Sequence, residues 1–594
     1  MLKLRVVELS SKLKLLLFAA YIVLAVTWLY GLEPRTWVFL IASVLFAIPT
    51  FLFGKGSPDN RAVSPSANLA KNHASWLLKN RFLSVLALWI IAFSLYWALG
   101  FWGGRDFTPT VHDEYAYLFQ AKTFASWRLC YPAPQFPQFF DAFHILTEKV
   151  YASKYPPGHA LCLVPGVWLG VPMLMPLLLS TGSLVIFYYL VRQIQDETVA
   201  LCTVSLVAVS PFQLEIATTY QSHSTTLFFL LLFVYSLVNS FPPKGLVRPL
   251  IAGLAIGLAF AARPLTALAA GAPFTLYYLF IAIKNAKKRR FQEFKSLMVV
   301  GIAFSSIVVM MLEYNHVLMG SPFKFPWIEY TQRYMPADKP GFSLTDELLP
   351  EGISPRKAAF YRSYVLWLKK SYDLGGAIKQ FFGCRLRDSI RMAEYSIGFV
   401  FFLPLAFVVP MSTFEKLMAG SIVSLFLAYF FYYGGLPRYH FEVLPFVVYF
   451  IVKGVLVLLK IIEENKMDLM RSFLVWHLWW GIGFLVAFKI PQDFFFKRRF
   501  THYHSSFKNL VSTAGPDKKV VLVRYKPDHN FHLDLINNEP DMNASRNIFA
   551  LDLGEQNRKL IEYWRDRSFF LFEEKTWSLE RLSRSAPRVT HLDP

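Results

Sequence analysis

The chain has 594 residues, of which 55% are hydrophobic, 17% aromatic and only 17% charged, whereas an ordinary soluble domain is about a quarter charged. That balance excludes disordered, collagenous and coiled-coil readings, and four cysteines are too few for a disulfide scaffold. Lys and Arg number 61 against 40 Asp and Glu, a net +21, but the excess sits in short segments beside apolar runs, where anionic lipid is the natural partner and nucleic acid is not.

In chain order, the charged start and span-length apolar run of MLKLRVVELSSKLKLLLFAAYIVLAVTWLYG, with no small-residue cleavage pattern, predict an uncleaved first helix. Apolar runs near 14–31, 36–53 and 82–101 predict three spans, each long enough to cross a hydrocarbon core of roughly 30 Å. The basic segment Lys55–Arg81 then places the N-terminus in the cytoplasm. An outer loop of residues 102–161 follows, too long to be only a connector. Further spans are expected near 171–191, 199–216, 224–241, 249–264, 267–283 and 296–313, with the basic loop Lys284–Lys295 falling on the cytoplasmic side. A second long outer segment, 314–395, precedes four spans near 396–411, 417–433, 440–460 and 472–490. The expectation is a polytopic α-helical membrane protein of about thirteen helices, organised as an N-terminal addition (1–81), a core (82–490) and a small α/β unit on the outer side (497–594). In that last unit KKVVLVRY reads as a strand and NRKLIEYWRDR as an amphipathic helix. No internal repeat is evident. Cys130 and Cys384 could pair if both lie outside, and free thiols are the simpler reading.

The residues that could carry chemistry gather at the outer ends of the spans. Asp113 and Glu114, in HDEYAYLFQA, follow a span directly; alone they read as solvated acids or a helix cap, but their position lets a carboxylate meet a lipid-borne substrate. The loop returns through YASKYPPGHALCLVPG, where the rigid Pro156–Pro157 turn carries Lys154 and His159. A lysine there either snorkels or holds a lipid phosphate. Glu215 and His223 flank a short outer turn, Arg263 stands where one span meets the next, and Arg438 and Tyr439 open a later one in GGLPRYHFEVLP. An intramembrane arginine is a functional hypothesis by default, and the planar guanidinium suits phosphate. No P-loop, GxSxG or HExxH signature is present.

In the order of these strings, with SPFQLE…SHSTTLFFLLLF, GLAFAARPLTAL and YNHVLMGSPFKFP between them, residues 82–490 resemble the GT-C superfamily of membrane glycosyltransferases, nearest the family of protein O-mannosyltransferases and lipid A aminoarabinose transferases. The resemblance implies an inverting enzyme that moves a sugar from a polyprenyl-phosphate donor to an acceptor at the outer membrane face. It places the catalytic acid on Asp113 with Glu114 adjacent, and the donor phosphate on Lys154, Arg263 and Arg438. His159, Glu215, His223 and Tyr439 are further substrate-binding candidates. No cofactor is implied; the acids leave room for a divalent metal, but no ligand cluster argues for one. The expected partners are the lipid-linked donor, a glycan, lipid or protein acceptor, and membrane lipids, without nucleic acid. In a prokaryote the location would be the inner membrane, active site and C-terminal unit facing the periplasm. Two other readings stay open: a lipid-linked glycan polymerase or ligase, and a transporter or flippase of lipid-linked sugars, which should hold its charges at mid-membrane. The C-terminal unit reads either as a lid or as an acceptor-recognition element, and His529, His532, Asp534 and Asp541 within it show no metal-site spacing.

Overall fold

The computed structural model describes residues 80–101, 107–241, 245–287, 291–342, 349–350, 352–386, 399–484, 490–515 and 517–583. Among these, six helices are long and apolar enough to cross a membrane: Arg81–Gly100, Leu174–Val191, Pro264–Ala286, Gln292–Met319, Thr413–Phe430 and Pro437–Glu464. A pair bent by 63°, Glu197–Val209 and Pro211–Ala217, makes a seventh. Its break falls at Ser210 with Pro211 at the next helix's first turn, where proline lacks the N–H that would continue the ladder. His223–Val238 and Val247–Ala262 are shorter apolar helices. The chain is thus a multi-pass membrane protein. Thirteen spans are not found among the described residues, and the expected spans at 14–31 and 36–53, with most of the Lys55–Arg81 linker, lie outside them.

Three local expectations change. Near 396–411, residues Phe399–Phe407 form a 3-10 helix with Pro404 inside it, which withholds the backbone donor an α-helix would use. The helix Gln292–Met319 runs six residues past the expected span end at 313, to a left-handed Gly320 (φ 75°), so the second outer segment begins later than Tyr314. Lys284 and Lys295 sit on the flanking helices, which leaves a far shorter basic connection than the Lys284–Lys295 loop. Cys130, for its part, is a free thiol.

The loop that follows the helix Arg81–Gly100 folds around the helix His112–Ala125. Its face of Tyr117, Ala121 and Phe124 joins the core of the helix bundle, while Ala116 and Phe119 join a second core shared with the C-terminal unit. Two faces about 100° apart on one helix are thereby buried against different partners. Three short antiparallel strands, β1 (Tyr131–Pro132), β2 (Ile145–Leu146) and β3 (Val150–Ser153), run in the order β1-β3-β2 and lead to the re-entry helix Pro157–Trp168. Pro157 stands in that helix's first turn. Gly158 packs so closely on the end of Val247–Ala262 that an added Cβ would come within 2.6 Å of the Ala261 carbonyl carbon. That close approach places the re-entry turn beside Arg263.

The C-terminal unit is a four-stranded sheet of order β5-β4-β6-β7: β4 (Lys519–Arg524), β5 (Asn547–Leu551), β6 (Ser568–Glu573) and β7 (Ser578–Arg581). The first three are parallel and β7 is antiparallel. The central β4 is buried at Lys519 through Val523, and the unbroken apolar run VVLV (Val520–Val523) is what a strand covered on both faces requires. The expected amphipathic helix is present but shorter, Asn557–Tyr563. Two ion pairs tie the helix Pro355–Phe360 to the loop before β2 and to the C-terminal unit: Lys357 with Asp141, and Arg356 with Asp534 at 2.5 Å.

Candidate active site

Asp113 lies in the first turn of the helix His112–Ala125, whose N-terminal dipole favours a carboxylate. Its carboxylate accepts a hydrogen bond from the Tyr155 hydroxyl and stands 3.6 Å from His112 Nδ1 and 3.8 Å from His144 Nε2. Burial pushes its pKa up, but His144, His112 and the Tyr155 hydroxyl outweigh burial and hold it well below the usual carboxylate range. Burial and the adjacent Asp113 push the Tyr155 hydroxyl the other way, so it stays protonated and donates. Burial, with Lys154 nearby, pushes the His144 imidazole well below its ordinary pKa, against the attraction of Asp113.

Glu114 points elsewhere. It is 1% exposed and accepts from Thr110 Oγ1 at 2.9 Å and from the Tyr220 backbone N–H at 3.0 Å, tying the loop start to the turn at residues 218–222. The two adjacent acids therefore differ in environment: one is a third open, the other closed in by protein.

Lys154 Nζ lies over the rings of Tyr330 (4.8 Å) and Tyr155 (5.3 Å) and has no ion-pair partner among the described residues. Burial lowers its pKa, against the attraction of Asp338 and Asp113. Arg438, half-buried in the 3-10 helix Pro437–Val443, likewise has no ion-pair partner among the described residues. Tyr364 and His532 lie within electrostatic reach of both Arg438 and Asp113, which puts the arginine and the acid in one neighbourhood. His532 comes from the C-terminal unit and stacks on His112 at 5.2 Å, so that unit closes one wall.

Arg263 is engaged instead. Its Nε is 3.5 Å from Glu442, and its terminal nitrogens donate to Ser222 Oγ (3.3 Å) and Tyr429 Oη (3.2 Å). Glu442 is fully buried and also meets His223 Nδ1 at 3.0 Å. Tyr439 stacks on Tyr429 at 4.9 Å and lies beneath the Arg263 guanidinium. This cluster is linked to Asp113 through Tyr117, which stacks on Tyr155 and donates to Ser222 at 3.0 Å. His159 is buried with both ring nitrogens satisfied, by Thr225 Oγ1 (2.7 Å) and the Tyr220 carbonyl (2.8 Å). It braces the same turn that Glu114 holds. Glu215, half-buried in the short helix Pro211–Ala217, acts on His223 through its charge.

The fold also assembles a set that the sequence did not reveal: His112, Asp113 and His144 each offer one ligand atom within 4.8 Å of the others. Imidazole and carboxylate would suit a borderline divalent cation such as zinc. These atoms already serve one another, His144 Nε2 meeting His112 Nδ1 at 3.0 Å and Asp113 taking the Tyr155 proton. The expected outcome of a zinc titration of the purified protein is no binding at this set; tight binding lost in H112A/H144A would put a cation on these three residues.

Residues 166–312 match the family model described as dolichyl-phosphate-mannose-protein mannosyltransferase, a stretch from the re-entry helix to the helix Gln292–Met319 that includes Arg263. No curated protein matches the chain. Among solved structures the chain is similar to ArnT from Cupriavidus metallidurans bound to undecaprenyl phosphate, at 14% identity and a TM-score of 0.47, covering 82% of this chain and 94% of that one. It is also similar to the Archaeoglobus fulgidus oligosaccharyltransferase in the apo form, at 13% identity and a TM-score of 0.39, covering 74% and 62%. The likeness to the GT-C superfamily of membrane glycosyltransferases, first read from the order of short strings, is thus matched by a family model over residues 166–312.

Proposed function

We propose that the protein is an inverting glycosyltransferase that moves a sugar from a polyprenyl-phosphate donor to an acceptor at the outer face of the membrane. The observation that carries the reading is a partly open Asp113, held ionised, within electrostatic reach of Lys154 and sharing the neighbours Tyr364 and His532 with Arg438, two cations that have no ion-pair partner among the described residues. A buried cation without a counter-ion is costly, and an incoming phosphate supplies one. Lys154 and Arg438 hold the donor phosphate, while Arg263 is matched by Glu442. The acceptor oxygen attacks the anomeric carbon from the face opposite the phosphate; its bond forms as the carbon–phosphate-oxygen bond breaks. The acceptor proton passes to Asp113 and the leaving electron pair stays on the phosphate, whose growing charge the two cations stabilise. A phosphate leaves as a stable anion, so no general acid is needed.

The reading is tested by transfer from a panel of radiolabelled polyprenyl-phosphate sugars to membrane extract by purified protein. Lys154→Ala and Arg438→Ala should each lower kcat/KM for the donor by about 10- to 100-fold, the scale of one charge-assisted contact of roughly 1.5–3 kcal/mol. Folding should be intact by circular dichroism. Full transfer by both variants would remove the phosphate clamp, and no transfer from any donor by the wild type would favour a flippase.

A further inference from the structure

The stretch that links the helix Gln292–Met319 to the helix Thr413–Phe430 brings two more polar groups, Asp338 and Tyr364, to the neighbourhood of Lys154 and Arg438. Asp338 sits in a tight turn, its N–H donating to the Met335 carbonyl at 2.8 Å. The preceding Ala337 is fully buried and donates its N–H to Tyr361 Oη at 3.1 Å. Past the turn, Lys369 Nζ holds the carbonyls of Lys339 (2.7 Å) and Gly341 (2.8 Å), so the backbone is fixed on both sides. One carboxylate oxygen, Oδ1, accepts from the hydroxyls of Tyr432 (3.1 Å) and Tyr433 (2.9 Å), which lie between the helix Thr413–Phe430 and the 3-10 helix that carries Arg438. Tyr432 meets Tyr439, the residue after Arg438, edge-on at 5.5 Å. The other oxygen, Oδ2, makes no hydrogen bond among the described residues and keeps accessible surface. Of the two acids that act on Lys154, Asp338 acts the more strongly and Asp113 the less. Tyr364 lies in a π-helical turn, Tyr361–Leu366, a geometry frequent at functional sites. Its ring stacks on Phe360 at 5.3 Å, and Phe360 in turn meets His112 at 6.0 Å. The Tyr364 hydroxyl, within electrostatic reach of Arg438, Asp113 and Asp338, makes no hydrogen bond among the described residues.

We propose that Asp338 and Tyr364 recognise the sugar of the donor, and that they select a polyhydroxylated sugar without an acidic group. The proposal rests on the transferase reading for the phosphate at Lys154 and Arg438. A sugar joined to that phosphate by a single oxygen lies beside the two cations, where Asp338 Oδ2 and the Tyr364 hydroxyl stand open. A carboxylate accepts from sugar hydroxyls, and such charge-assisted bonds are short and strong. It repels a second carboxylate, and a like-charge contact of this kind is a means of rejecting the wrong ligand. The sign is informative, because Lys154 and Arg438 alone would draw in a uronic acid more strongly than a neutral hexose. Asp338 reverses that preference. Tyr432 and Tyr433 hold its Oδ1 from behind and leave Oδ2 for the sugar.

The test is equilibrium binding of short-chain polyprenyl phosphates to the full chain in nanodiscs: the bare phosphate, its glucose, galactose and mannose conjugates, and the three matching uronates. In wild type the best-bound hexose conjugate should bind about 10-fold or more tightly than its own uronate, the scale of a like-charge contact. Asp338→Asn keeps an oxygen for Tyr432 and Tyr433, so thermal unfolding should stay as in wild type while the uronate comes to bind as tightly as the hexose or more so. Tyr364→Phe should weaken the hexose conjugate by about 3- to 10-fold, the scale of one hydrogen bond, and leave the bare phosphate unchanged. A uronate preference in wild type, no binding of any conjugate, or a hexose preference that survives Asp338→Asn would overturn the assignment. An equal gain by every phosphate in Asp338→Asn would also overturn it, because the acid would then act only by damping Lys154. An equal loss on the bare phosphate in Tyr364→Phe would take Tyr364 out of the sugar site. Hexose preference in a protein that transfers sugar from no donor would leave the sugar site standing and overturn only the transferase reading. Transfer whose hexose-over-uronate ratio of kcat/KM ignores Asp338→Asn would do the reverse.

Discussion

Asp113→Asn should reduce kcat by about 10²- to 10⁴-fold, the usual contribution of a positioned base, with donor affinity close to wild type because Lys154 and Arg438 remain. Asparagine keeps the size and accepts the Tyr155 hydrogen bond, so the loss reads as loss of basicity and not of packing. Glu114→Gln should behave differently: its carboxylate faces Thr110 and the Tyr220 N–H, and the change should appear in thermal stability before it appears in rate. Rates lost equally in both variants would end the assignment of one acid as base. Full rate in Asp113→Asn would remove the carboxylate from the mechanism.

The pH profile follows from the same geometry. A carboxyl held well below its ordinary value of about 3.9 is ionised through the neutral and mildly acidic range. Activity should therefore persist as pH falls through 5 and decline only below the usual carboxylate range. The sign for stability is the same: a depressed folded pKa contributes stability above the unfolded value, which is lost as pH falls through the folded one. In the proposed reaction so weak a base would suffice, because the acceptor hydroxyl becomes acidic as its oxygen bonds to the anomeric carbon. Tyr155→Phe removes one stabilising donor, so the acid limb of kcat/KM should move upward, toward the ordinary carboxylate value.

The periodicity and charge of the chain made the membrane bundle legible, because span-length apolar runs bounded by basic residues leave little choice of structure. Arg438 and Lys154 were legible for a similar reason: cations next to proline turns at span ends are visible in a local string. Their relation to Asp113 was not, since Arg438 reaches the acid's surroundings only through the fold. Glu442 stands in the same RYHFEVLP string as Arg438, yet its role needs His223, 219 residues earlier in the chain. His112 and His144 were equally hidden, their rings meeting across 32 residues of loop that carry no shared pattern. The 3-10 turn at Phe399–Phe407 was misread because hydropathy sees its apolar side chains but not the donor that Pro404 withholds. Tyr155 could have been found: it directly follows Lys154 in the KYPPGH re-entry string and is among its aromatic partners.

The pair Arg263–Glu442 should be the most sensitive point in the bundle. Glu442 has no exposure and its Oε2 has no hydrogen-bond partner, so its charge depends on Arg263 and His223. Arg263→Met leaves an acid enclosed without its cation, and removing one partner of a buried pair typically costs about 3–5 kcal/mol. Glu442→Leu frees Arg263 instead, and because the guanidinium is 15% exposed and still meets Ser222 and Tyr429, its cost should be smaller. The double variant Arg263→Met/Glu442→Leu should unfold closer to wild type than Arg263→Met does, because no unmatched charge remains. Thermal unfolding of the four proteins in one detergent gives the coupling directly. Single effects that simply add, to within about 0.5 kcal/mol, would show that Arg263 and Glu442 are neighbours without being partners. A large coupling would mean that Arg263 is committed to Glu442, which holds the 3-10 helix Pro437–Val443 and its Arg438 against the end of the helix Val247–Ala262, and that in the proposed reaction Lys154 and Arg438 are the cations left for phosphate.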